Sequence, residues 1–199
     1  DRSPHRGSKA HRLEGCLHMS TNYIRQHTIT AQVMDHPGVL TRIAGMFRRR
    51  GFNIYSLAVG HSEQPSLSRM TFVVIGDKHV VDQVVKQLYK LIDVVQVNDI
   101  SAKHIVTIEL ALIKVTASAT TSSEILEIVK PFGARVVDIT SDPFIIEITG
   151  DEAKIDSLYN LLKPFGVLEM MRTGRIAMVQ EENGLEKRKN GLHNETGTT

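Results

Sequence analysis

One order of hydrophobic patterns, strand–helix–strand–strand–helix–strand, runs twice along this chain, and it narrows the possible folds more than any other feature. Residues 27–34 are β-rich and end at Asp35-His36-Pro37-Gly38. Val39, Leu40, Ile43, Met46 and Phe47 then fall at helical spacing. Pro37 is expected at the first helical position, and Gly51, behind Arg48-Arg49-Arg50, as the stop. Residues 52–59 and 68–75 read as a hairpin, 80–91 as a second helix and 94–100 as a fourth strand. The order then returns, with strands at 105–115, 134–140 and 144–149, helices at 122–131 and 152–162, and a last extended segment at 166–179. Leu88-Tyr89-Lys90-Leu91 echoes Leu158-Tyr159-Asn160-Leu161 at an offset of 70 residues.

The expected fold is therefore α+β: two tandem ferredoxin-like βαββαβ sandwiches, at 27–102 and 103–180, each with helices on one face of a four-stranded antiparallel sheet. A unit this small cannot leave its second sheet face bare, so that face is expected to meet a partner domain or subunit. Residues 1–26 mix Arg, Lys, His, Ser and Gly without an apolar period and read as a disordered leader, a transit remnant or a tag. Residues 181–199 read as a mobile polar tail.

Composition removes several function classes. The net charge is +2, from 24 basic and 22 acidic side chains, so no bulk field draws in nucleic acid. No apolar run approaches the ~20 residues of a membrane span. The single cysteine, Cys16, excludes a disulfide framework, and with His5, His11 and His18 it lies in a leader that lacks the fixed geometry of a metal site. Nucleophile elbows, phosphate-cradling loops and His-Glu-x-x-His are missing, so no catalytic residue is assigned. The βαββαβ order is also that of RNA-recognition modules, which stack bases on aromatics of the central strands; here strand three carries only Phe72.

The turn into the first helix holds the best candidate site. A helix N-terminus beginning with Pro37 leaves the N–H groups of Gly38 and Val39 free for an anion such as a carboxylate. Gly38 lets a ligand approach the backbone, Asp35 offers an acceptor for an ammonium group, and Asn53 adds a side-chain carbonyl. Together they suit a free amino acid. The same residues also fit a plain structural role, with Asp35 or His36 capping the helix and Gly38 serving close packing. Gly45 suggests a close backbone approach, and Arg69 is either an edge charge or an interface anchor.

The segment from Asp35-His36-Pro37-Gly38-Val39-Leu40 to Arg49-Arg50-Gly51-Phe52-Asn53-Ile54 resembles the ACT domain that opens the regulatory, or small, subunit of acetohydroxyacid (acetolactate) synthase. Leu67-Ser68-Arg69-Met70-Thr71, Glu109-Leu110-Ala111-Leu112, Pro164-Phe165-Gly166-Val167 and Arg172-Thr173-Gly174-Arg175 carry the resemblance across residues 27–180. It implies a non-catalytic protein that binds and activates a catalytic subunit and confers feedback inhibition by valine or another branched-chain amino acid. It implies a homodimer, with the effector between ACT domains on Asp35, Gly38, Val39, Asn53 and Ile54. The chain would hold no cofactor of its own; thiamine diphosphate, FAD and Mg would belong to the catalytic subunit. Some wording is similar to plant, algal and cyanobacterial members, which implies a plastid or, failing that, a bacterial cytoplasm. Tyr55, Ile108 and His36 depart from the usual family residues. The alternative is a free-standing ACT-type sensor serving a different enzyme.

Overall fold

Alternating apolar residues in β1 (Arg25–Met34) aim Ile29, Ala31 and Val33 at one face, and α1 (Val39–Arg50) lays Val39, Ile43, Met46 and Phe47 over them. The computed structural model describes residues 25–118, 120–138 and 142–180, so residues 1–24 of the expected leader, with Cys16, and the tail lie outside the described residues, whereas Arg25 and Gln26, expected in the leader, begin β1 and pair with Gly76 and Ile75. β2 (Ile54–His61) and β3 (Leu67–Gly76) form the hairpin. Then come α2 (Lys78–Leu88), capped by the Asp77 carboxylate accepting from the Val80 N–H, and β4 (Val94–Asp99). The first sheet is antiparallel in the order β2-β3-β1-β4. Phe47 of α1 stacks on Phe72 of β3 at 5.4 Å. Phe72 is fully buried against the helices, where a base cannot stack on it.

The second half repeats the plan with a separate core. β5 (Ile105–Val115), α3 (Ser122–Val129), β6 (Arg135–Asp138), β7 (Phe144–Gly150), α4 (Glu152–Leu162) and β8 (Val167–Arg172) give a sheet ordered β6-β7-β5-β8, and β9 (Ile176–Val179) pairs with the first turns of β5. The fold is thus α+β with βαββαβ twice, as expected from the sequence. The expected last strand is broken in two, because Gly174 takes φ +82 and interrupts the pairing between Arg172 and Ile176. α2 stops at Leu88 rather than running to residue 91, whereas α4 continues through the echoed tetrapeptide. A stronger repeat closes the helices: Lys130-Pro131-Phe132-Gly133 and Lys163-Pro164-Phe165-Gly166 both make a 3-10 turn closed by a left-handed glycine.

The second face of the first sheet is polar, with Thr28, Thr30, Gln32, Thr71, Gln96 and Asn98, and the segment Ala177–Val179 crosses over part of it. Its expected partner is thus, in part, the other half of the same chain. The outer face of the second sheet stays open, with Leu112 and Met171 exposed beside the Lys114–Glu169 ion pair. Among the described residues no helix is long and apolar enough to cross a membrane.

Candidate functional site

Pro37 does not start the helix. His36-Pro37-Gly38-Val39 is a type II turn, with proline at its second position, Gly38 at φ +92 and ψ −12, and the Val39 N–H donating to the His36 carbonyl at 3.5 Å. Proline suits this turn as well as it suits a helix start, and the glycine behind it decides between them, because a left-handed residue cannot be the second residue of a right-handed helix. The first helical bond runs from the Arg42 N–H to the Gly38 carbonyl at 3.0 Å, so the donors ahead of it, apart from the Val39 N–H held in the turn, lie without a helical partner at the positive end of the helix dipole. α1 has no side-chain cap, so neither Asp35 nor His36 fills that end.

The Asp35 carboxylate accepts instead from His61 Nδ1 at 2.9 Å, at the far end of β2. Asp93, only 5% exposed, holds the turn from below: Arg42 Nη1 lies 2.6 Å and His36 Nε2 3.1 Å from its two carboxylate oxygens, and its carbonyl accepts from the Met34 N–H at 2.8 Å. Sequence reasoning gave Asp93 no role. Its signal was a lone acid between Ile92 and Val94 at the start of a buried strand. Arg69 lies on the inner strand β3, where its guanidinium grips Glu63 of the hairpin loop at 2.6 and 3.0 Å and draws that carboxyl down to about 2.

The candidate residues form two groups. Asp35, Gly38 and Val39 lie at the start of α1, whereas Asn53 and Ile54 follow its C-terminal Gly51. The 12-residue helix separates the groups by about 18 Å. One chain therefore does not bring Asn53 to Gly38. At Gly38 a Cβ would meet nothing within 4 Å, so only backbone strain opposes a larger residue there. Gly38→Ala is expected to cost about 1–2 kcal/mol, read as a lower urea midpoint at unchanged slope.

Two family models cover most of the described chain: an acetohydroxyacid synthase small-subunit-like ACT domain at residues 29–96, and the small subunit of acetolactate synthase at 108–181. A probable acetolactate synthase small subunit of Archaeoglobus fulgidus is 50% identical over 155 residues, 78% of this chain and 97% of its own. The acetolactate synthase small subunit of Aquifex aeolicus is 48% identical over 159 residues, 79% of this chain and 83% of its own. The crystal structure of the Thermotoga maritima acetolactate synthase small subunit superposes with a TM-score of 0.75 at 41% identity, covering 80% of this chain and 99% of that one.

Proposed function

Because the chain belongs to the acetolactate synthase small-subunit family, we propose that it is the regulatory partner of a thiamine-diphosphate-dependent catalytic subunit, raising its activity and lending it feedback inhibition by a branched-chain amino acid. The observation that carries this reading is the Pro37-Gly38 turn, which leaves a helix N-terminus uncapped, open and flanked by Asp35. The N–H of Gly38, joined by that of Val39 once it gives up its long bond to the His36 carbonyl, holds the effector's carboxylate, and Asp35 orients its ammonium group. Val39, 95% buried, fixes the apolar wall beneath the turn. Thiamine diphosphate, FAD and Mg remain with the catalytic subunit.

Asn53 and Ile54 reach the same ligand only from a second copy. β2 is an edge of the first sheet, and two chains joined antiparallel along it set the Asn53 end of one strand beside the His61 end of the other. Asp35 already bonds His61, so this pairing gathers both groups of candidate residues at each end of the joined strands. Effector binding then favours one arrangement of the dimer, which the catalytic subunit reads.

The test is calorimetric titration of L-valine into the holoenzyme and into this chain alone, with D-valine and L-lysine as controls. Saturable binding of L-valine, lost in Asp35→Ala while activation of the catalytic subunit persists, is the expected result. Loss of activation together with binding counts against the reading.

A further inference from the structure

The densest group of charged side chains lies away from the effector end, where the two halves of the chain meet. Ala111 pairs with Arg172 and Ile108 with Ile176, so Glu109 and Leu110 of β5 face three residues, Thr173, Gly174 and Arg175. This bulge presses on the middle of β2. A Cβ on Gly174 would stand 2.9 Å from the Leu57 carbonyl oxygen and 2.9 Å from Ser56 Oγ, closer than real atoms approach, and φ +82 strains any other residue there. The Arg175 N–H donates to Ser56 Oγ at 2.9 Å.

The Arg175 side chain, 15% exposed, then spans both domains. Its guanidinium donates to Gln26 Oε1 at 2.9 Å and Thr28 Oγ1 at 3.4 Å on β1, and lies 2.7 Å from Glu152 Oε2 and 3.8 Å from Glu109 Oε1 in the second half. Tyr55 of β2 donates its hydroxyl to Glu152 at 2.5 Å. Arg172 bonds Asp156 and lies 3.9 Å from Glu109. Glu109 is only 6% exposed, and burial, followed by the neighbouring Glu152 charge, pushes its carboxyl above the ordinary range against the pull of the two arginines. Removing either arginine leaves this buried acid with only the other as compensation.

We propose that the Gly174-Arg175 bulge is the joint that fixes the second domain on the ACT domain and transmits effector-dependent movement of β2 to it. The half concerning transmission rests on the effector reading above. Ser56 and Leu57 lie between the two ends of β2 at which that reading gathers the ligand, so a shift of the strand moves the bulge's footing. The arginine fork ties that footing to β1 and to the start of α4 together, which a single hydrogen bond would not do.

Spin labels on Arg48→Cys and Glu127→Cys in a Cys16→Ser background, diluted with unlabelled chain, report the distance between the domains by pulsed EPR. Gly174→Ala and Arg175→Gln are expected to broaden a narrow distribution, with Arg175→Lys, which keeps the charge but not the fork, intermediate. A distribution that stays narrow and centred in well-folded Arg175→Gln overturns the joint. In the holoenzyme, Arg175→Gln is expected to keep valine binding within about threefold while weakening inhibition by at least about fivefold. Equal retention or equal loss of both overturns the transmission. Absence of valine binding in the unsubstituted holoenzyme instead sinks the effector reading, and the EPR measurement still decides the joint.

Discussion

Mixing two variants that each lose the effector, Gly38→Asp and Asn53→Ala, is expected to bring binding back. Aspartate at position 38 tolerates the left-handed backbone yet sets a carboxylate against that of the ligand. Alanine at position 53 removes a hydrogen bond to a charged group, worth about 1.5–3 kcal/mol, or roughly tenfold to a hundredfold in affinity. If each site draws Gly38 from one copy and Asn53 from the other, a mixed dimer holds one intact site and one doubly damaged site. Random re-pairing of equal amounts then restores about one quarter of all sites. Calorimetry on chains unfolded and refolded together, against the separately refolded variants, counts them. A site built within one chain gives no recovery, and the 12-residue helix between the two groups argues against such a site.

The second large effect is expected from Phe72→Ala. Phe72 is fully buried, stacks on Phe47, and sits among Ile29, Ile43 and Val84 in the first core. Its removal costs about 3–5 kcal/mol, a large part of the roughly 5–15 kcal/mol that holds a domain together. The second half has its own core of Ile113, Ile125, Ile146, Ile155 and Leu158. The variant should therefore unfold in two steps, the first half melting early while the second persists. Hydrogen exchange gives the check: β1 and β3 lose protection at low denaturant while β5 and β7 keep it. A single transition, shifted as a whole, would mean that the contacts at Arg175 bind the halves into one cooperative unit.

Much of this was legible in the sequence, for reasons that can be named. The alternation of Ile29, Ala31 and Val33 and the helical spacing of Val39, Ile43, Met46 and Phe47 mark their buried faces directly, because burial is what those periods encode. Gly51 stops α1 in the left-handed conformation read from its place after Arg50. The start of α1 was misjudged because proline fits two local structures, and the choice hung on the sign of one glycine dihedral. Asp35, Gly38 and Asn53 were each singled out, but their separation was hidden. Pattern reading places residues on elements without summing the length of the helix between them. Asp93 and Arg175 were invisible as working residues, since each acts through partners 23 to 149 positions away. No local period records such pairings.

The distance along α1 also bears on how such a regulator behaves at low abundance. On the two-copy site proposed above, a solitary chain would carry two half-sites and sense nothing, so effector and self-association would strengthen one another. Dilution below the dimer's own dissociation constant should blunt the response to amino acid, and saturating effector should hold the dimer together at lower protein levels. The brake on biosynthesis would then scale with the amount of regulator made as well as with the end product, and the cell would set its sensitivity by expression.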